Sequence, residues 1–249
     1  MHYAIIGCVH GNREALLAVL RDIRERRIER TVSLGDVVGW GPHPLDCIDA
    51  VQNACFISIR GDHDLGVLEG TDGFIDKTAN VLRWTREQIE GSPDAPRRLG
   101  YLEQALENFD SGGIAFHHGS PRSTHEYVFA GDVKRDPRKL RAVFAQIDKV
   151  CFTAHTHVPG VITNNPLQWR AAEDIDYYYH YRKGDKAVVN VGSVGQPRDG
   201  DPRACYLEID KNEMHWRRVE YDVDAVVRDL QANPDVFGSD LAIRLKKGR

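Results

Sequence analysis

The sequence predicts an α/β fold that begins with parallel strand pairs and becomes β-rich and partly antiparallel in its second half. Three observations carry that prediction. Short apolar runs of strand length recur along the chain, helical patterns separate the first three of them, and the later runs are joined by turn signals instead of helices. Residues 3–7 are the first run. The stretch 1–9 has neither a basic start nor a small-residue cleavage site, so it reads as a strand and not as a signal peptide. Residues 12–26 come next, with Leu16, Leu17, Leu20 and Ile23 on one helical face and Asn12 placed as the N-cap. Residues 31–34 are the second run, 44–52 the second helical pattern and 55–59 the third run. Residues 113–116 and 150–154 are bounded in the same way by polar residues or glycine, as buried central strands are. Residues 187–191, 203–210 and 213–221 read as strands, the last two connected hairpin-fashion through Lys211 and Asn212. Residues 222–231 read as a last helix, with a polar tail after it ending in Lys246, Lys247 and Arg249.

The whole of 1–249 reads as a single domain with two insertions. The first, about residues 70–110, is helical in pattern and broken at Gly91, Ser92 and Pro93. The second, about 166–186, carries the aromatic run Tyr177, Tyr178, Tyr179, His180 and Tyr181. A chain of this length buries roughly 70–75% of its unfolded surface and needs no disulfide to fold. Its 41% hydrophobic residues place it among ordinary globular proteins. A net charge of −4 lacks the basic excess of a nucleic-acid binder, and Lys134, Arg135, Arg138, Lys139 and Arg141 read as the solvated face of a helix. Five cysteines, an odd number without close pairing, point to a reducing, cytoplasmic compartment. Residues 150–169 contain no Asp, Glu, Lys or Arg, yet His155, His157, Pro159, Asn164, Asn165 and Pro166 argue against a membrane span. A buried strand with a metal-facing loop suits them better.

The informative regularity lies at the C-terminal end of each apolar run. The first ends in Cys8, Val9, His10, Gly11, Asn12; the second in Gly35, Asp36, Val37, Val38, Gly39; the third in Gly61, Asp62, His63, Asp64. The fourth ends in His117, His118, Gly119 and the fifth in His155, Thr156, His157. In α/β sheets the C-terminal strand edge is where loops converge on a crevice. Imidazole, carboxylate and thiol together are a metal-ligand inventory larger than one ion can use, so two metals are the simplest expectation. A P-loop, an H-E-x-x-H zinc helix and a G-x-S-x-G elbow are all absent.

These motifs resemble the calcineurin-like metallophosphoesterases, whose ordered pattern is D-x-H, G-D-x-x-G, G-N-H-[DE], a His before Gly, and G-H-x-H. Cys8 to His10, Gly35 to Gly39, Gly61 to Asp64, His118 with Gly119, and Ala154 to His157 keep that order, and residues 190–204 look like a segment of small prokaryotic members. The resemblance implies a four-layer αββα sandwich with two central mixed sheets flanked by helices. It implies one metal on Cys8, His10, Asp36 and His157 and another on Asp36, Asp62, His118 and His155, with Asp36 bridging. It further implies that His63 contacts phosphate and protonates the leaving group while Asp64 orients its ring. The implied activity is hydrolysis of a phosphomonoester or phosphodiester through a dinuclear centre of iron, manganese or zinc with a bridging hydroxide, on a small-molecule phosphate ester, a nucleotide among the candidates.

Cys8 stands where that pattern has Asp, Asp62 where it has Asn, and Ala154 where it has Gly. A thiolate is soft and favours zinc or ferrous iron over magnesium or manganese. The alternative reading is a metal- or nucleotide-binding regulatory protein on the same fold with weakened turnover, supported by Cys8 and Asp62. Arg122 and Arg198 lie just beyond active-site strands and are candidate phosphate clamps. Trp84, Tyr101 and the 177–181 run are candidates to stack on a nucleobase, with core packing or strand pairing the plainer explanation.

Overall fold

The computed structural model describes residues 2–249, so Met1 of the N-terminal run lies outside the described residues. Two six-stranded sheets face each other. The first has the order β3(Ile57–Ser58), β2(Arg30–Ser33), β1(His2–Ile6), β11(Ala204–Asp210), β12(Glu213–Val219), β9(Tyr178–His180). The second runs β4(Asn108–Ser111), β5(Ile114–His117), β6(Val150–Thr153), β10(Ala187–Asn190), β7(Gly160–Asn164), β8(Leu167–Ala171). Strands β1, β2 and β3 pair in parallel, as do β5, β6 and β10, whereas β11 is antiparallel to both β1 and β12. The predicted change from parallel start to partly antiparallel finish is therefore present.

Strand alternation makes the layers. In β1, Ile5 joins Val32, Leu34, Phe152, Val189, Leu207 and Trp216 between the sheets, while Ala4 and Ile6 face α1(Arg13–Glu25) and α2(Pro44–Ala54) through Leu16, Val19 and Ile48. On the other side α7(Pro137–Ala145) packs Leu140, Val143 and Phe144 against Ala115, Cys151, Ile162 and Val188 of the second sheet. Helix, sheet, sheet and helix give the expected αββα sandwich. Asn12 caps α1 as predicted, its side-chain oxygen accepting from the Ala15 amide at 3.1 Å.

Several elements differ from the sequence reading. The third apolar run yields only the two-residue strand β3, because Cys55 ends α2 and Phe56 lies 48% exposed beyond it. The first insertion folds as α4(Asp76–Glu90) and α5(Ala95–Gln104), and the second supplies the edge strands β8 and β9. The expected polar tail is instead a helix, α9(Pro234–Lys247), which buries Phe237, Leu241, Ala242 and Leu245 against α8(Val223–Gln231) and Val81 of α4. Gly238, with φ 67° and ψ 162°, kinks α9, so Phe237 precedes the kink while Leu241 and Leu245 share the face after it at the i, i+4 spacing. Among the described residues no helix is long and apolar enough to cross a membrane; residues 150–169 form β6, a loop, β7 and part of β8.

Candidate functional site

The C-terminal ends of β1, β2, β3, β5 and β6 bring seven residues into two buried quartets. Cys8, His10, Asp36 and His157 form one, and Asp36, Asp62, His118 and His155 the other, with the ligating atoms of each within 4.8 Å of one another. Asp36 belongs to both. This partition coincides with the one implied by the family resemblance.

The loops that deliver these side chains hold unusual backbone shapes. Of the nine non-glycine residues with positive φ among those described, five are Cys8, His10, Asp36, His155 and His157. The left-handed region costs an L-residue about 1 kcal/mol or more, so such shapes persist where the surroundings over-determine them. The surroundings here are backbone bonds between strand ends. Cys8 N–H donates to the Gly35 carbonyl at 2.9 Å, His10 N–H to Asp36 at 2.8 Å, and Gly11 N–H to Val37 at 2.9 Å. Residues 190–204 fasten the same loops from the far side: Ser193 Oγ and the Gly195 amide donate to the Cys8 carbonyl, each at 2.9 Å.

Three imidazoles are oriented by carbonyl oxygens. The Nδ1–H groups of His10, His118 and His157 donate to Val38 (3.3 Å), Leu34 (2.7 Å) and Gln196 (2.6 Å). That fixes Nε2 as the nitrogen turned inward, as carbonyl partners do for metal-ligating histidines. His10 Nε2 then faces His157 Nε2 at 3.1 Å, with Asp36 Oδ2 at 3.4 Å from His10. In neutral imidazoles both Nε2 atoms are lone-pair acceptors, so this close approach is repulsive until a cation stands between them. In the second quartet His118 Nε2 lies 3.3 Å from Asp36 and 3.1 Å from Asp62, whose Oδ1 is also 3.1 Å from His155 Nδ1. The donor set thus fits two divalent cations.

The electrostatics agree. Burial, with Asp36 adding to it, pushes the Cys8 thiol well above its ordinary range, so it is a neutral thiol unless a cation draws off its proton. Burial alone would raise the Asp62 carboxyl, but hydrogen bonds with His118 and His155 hold it well down. Asp36 balances burial and Asp62 against three histidines and stays low, at about 2. His118 is raised despite its burial by Asp36 and Asp62.

His63 sits beside the first quartet with its ring 4.7 Å from His10, 5.6 Å from Trp40 and 5.8 Å from Phe74. Burial lowers its pKa, and its Nδ1 has no hydrogen-bond partner within the protein. Gly39 makes room for the ring, since a Cβ there would lie 2.3 Å from His63 Nδ1. The expectation that Asp64 orients this ring is corrected by its contacts. The Asp64 carboxylate accepts four backbone N–H bonds instead, from Asp36 (2.8 Å), Val37 (3.0 Å), Val38 (3.3 Å) and Gly61 (3.0 Å). It clamps the Asp36 loop to the start of α3(Asp62–Glu69).

Arg198 is brought to the cluster: it is half-buried, within electrostatic reach of Cys8, Tyr127 and Asp36, and held by Gln196 Oε1 at 2.7 Å, with its Nε unpartnered. Arg122 is not. Its side chain is 39% exposed and pairs with Glu126 at 3.6 Å. His117 is also outside the quartets, half-buried near Asp110. The aromatic candidates serve the scaffold: Trp84 packs edge-on against Phe237 at 5.0 Å, Tyr101 bonds Ser58 at 2.7 Å, and Tyr177 lies under the Arg218 guanidinium. Sequence reasoning missed Trp40 and Phe74 around His63. Trp40 comes directly after the second motif, whereas Phe74 belongs to the first insertion and carries no local signal.

Two ligand quartets sharing one aspartate, at the strand ends of an αββα sandwich, define the class of the metal-dependent phosphoesterases. The family model of the calcineurin-like phosphoesterase superfamily domain matches residues 1–212, and the chain belongs to that superfamily. An uncharacterized protein of Methanocaldococcus jannaschii is 32% identical over 96% of each chain. The crystal structure of a metallophosphoesterase from Sphaerobacter thermophilus is 30% identical and superposes over 100% of both chains with a TM-score of 0.81. A hypothetical protein from Pyrococcus horikoshii shares the fold at 21% identity, with a TM-score of 0.75 over 100% of this chain and 98% of its own.

Proposed function

We propose that this chain hydrolyses a phosphate ester, mono- or di-, with two divalent cations of iron, manganese or zinc held by Cys8, His10, Asp36 and His157 and by Asp36, Asp62, His118 and His155. The observation that carries the reading is the Asp36 carboxylate shared between two buried quartets whose imidazole nitrogens face one another at 3.1 Å. Cations bound there supply Lewis-acid charge to the phosphoryl oxygens and lower the pKa of water to near neutrality.

The protein's own groups do the rest. Asp36 and Asp62 offset the cationic charge, and the carbonyl-pinned histidines keep the site preorganised. Arg198 offers its unpartnered Nε–H to a phosphate oxygen, restoring to its guanidinium the partner it lacks. His63, enclosed by Trp40 and Phe74 beside the first quartet, is placed to contact phosphate, and in its imidazolium form, which a bound phosphate anion would favour against the burial that lowers its pKa, to hand a proton to the departing alcohol oxygen. Asp64 acts through the backbone by holding the Asp36 loop.

Hydrolysis of a mono-aryl and a bis-aryl phosphate with manganese, ferrous iron and zinc tests the reading and sorts the ester class. Turnover with at least one metal supports it. The regulatory alternative rests on Cys8, whose buried thiol must lose its proton before the first quartet can be filled. Nucleotide binding without turnover under any metal would favour that alternative.

A further inference from the structure

The loop after His118 carries two aromatic side chains that neither the core nor the quartets use. Tyr127, Val128 and Phe129 alternate: Val128 is buried with Leu140, Val143 and Phe144, whereas Tyr127 and Phe129 are 37% and 49% exposed. The Tyr127 ring lies flat on His155, centroids 3.7 Å apart and planes 23° from parallel. Phe129 is parallel to Tyr127 within 2°, at 5.0 Å. Two rings cannot share one face of a third at those spacings, so Phe129 occupies the face opposite His155. The stack runs outward from a candidate metal ligand, through Tyr127, to an exposed phenyl ring.

This stack is held rigidly. The Lys139 ammonium donates to the Tyr127 carbonyl at 2.5 Å and to Asp132 Oδ2 at 2.7 Å, and the same carboxylate oxygen accepts the Phe129 backbone N–H at 2.9 Å. Ser120 donates to Glu126 across the loop, and the Ser120 amide to the Ser123 carbonyl at 3.0 Å. At its base a Cβ on Gly119 would lie 2.4 Å from the Thr124 carbonyl oxygen, so the loop closes this tightly only over glycine. Lys139, in the basic stretch that reads from sequence as a solvated helix face, thus pins both aromatic residues. Asp62, Arg198 and Asp36 act on the Tyr127 phenol, so the stack borders the space that the quartets and Arg198 enclose.

We propose that Tyr127 and Phe129 form a stacking platform for a flat ring on the alcohol side of the substrate, and that the site thereby selects nucleotide-type phosphate esters over esters of a bare sugar. The inference rests on the phosphoesterase reading for which end of the ligand meets the quartets. A base on the outer face of Phe129 stands away from His155 by the 3.7 and 5.0 Å steps of the stack and by its own stacking step on Phe129. A pentose between phosphate and base lets the ring reach outward from the quartets toward Phe129; an aryl phosphate, with its ring bonded directly to the ester oxygen, lacks that reach. Stacking reads the π-face and accepts any base, and a ring pinned in advance loses little freedom on binding.

Calorimetric affinities for adenosine 5′-monophosphate and ribose 5-phosphate, measured on the manganese-loaded protein, test this. Phe129→Ala is expected to lower the ratio of the two affinities roughly tenfold. Phe129→Leu, which keeps apolar bulk without a flat ring, is expected to lower it as well, and Phe129→Tyr to preserve it. An unchanged ratio in the Ala and Leu variants overturns the proposal, and so does an equal loss of both affinities, the mark of a purely structural role. Binding is read without turnover. A protein that hydrolyses neither compound but shows the ratio change keeps the platform and loses the phosphoesterase reading; one that hydrolyses both with an unchanged ratio does the reverse.

Discussion

Replacing Asp64 by alanine separates two roles that the sequence cannot tell apart. In the structure its carboxylate accepts four buried amide N–H bonds, from Asp36, Val37, Val38 and Gly61, between 2.8 and 3.3 Å. Truncation leaves those donors without a partner inside a buried loop. Each orphaned donor costs about 1–3 kcal/mol, and water entering the vacated volume recovers part of it, so the expected loss is about 3–5 kcal/mol. For a chain of this size that corresponds to a fall of roughly 6–10 °C in Tm. Asp64→Asn keeps one acceptor oxygen and turns an NH2 group toward the remaining donors, and should fall between wild type and alanine. Urea unfolding monitored by circular dichroism gives the difference, read from the midpoint at constant slope. A loss below about 1 kcal/mol, with hydrolysis abolished, would contradict the clamp and restore the ring-orienting role that sequence reasoning assigned.

Other parts of the molecule are tested by three further substitutions. Cys8→Ser exchanges a soft donor for a hard one, so elemental analysis of protein purified without chelators should show altered bound metal, and unchanged content and identity would remove Cys8 from the ligand set. Phe237→Ala empties a fully buried site between α9, α8 and Trp84 and should destabilise by about 3–5 kcal/mol in urea, whereas a detached polar tail would show no change. Asp49 is held below its ordinary pKa by its hydrogen bonds with Arg98 and, to a lesser extent, with Arg97. Its contribution is present above the unfolded pKa of about 4 and is lost as pH falls through the lower folded value. Asp49→Asn should therefore cost about 1 kcal/mol at pH 7, discounted for partial exposure, and the gap to wild type should close in acid; a gap that widened there would refute the assignment.

The site was legible where chemistry coincides with strand punctuation. Cys8, His10, Asp36, Asp62, His118, His155 and His157 each stand just beyond an apolar run, and a sheet has to gather such ends at one edge. What the sequence hides is what depends on contact across the fold. Asp64 adjoins His63 in the chain, but three of its four partners lie 26 to 28 residues away, in the Asp36 loop. Gly11, Gly35 and Gly39 mark sharp turns, yet the left-handed shapes of Cys8, His10 and Asp36 are imposed by backbone bonds between neighbouring loops. Leu241 and Leu245 share a helical face whose signal is diluted by Arg244, Lys246 and Lys247, and Phe237 joins them only across the kink at Gly238. Tyr127 and Phe129 lie outside any regular element, so no periodicity marks them.

Turnover of an aryl phosphate against equivalents of added metal tests the two-cation claim most directly. Starting from metal-free protein, two shared quartets predict that activity rises until about two equivalents are bound, and that Asp36→Asn, which weakens both quartets at once, removes it. Full activity at one equivalent, or an Asp36→Asn variant as active as wild type, would contradict the claim.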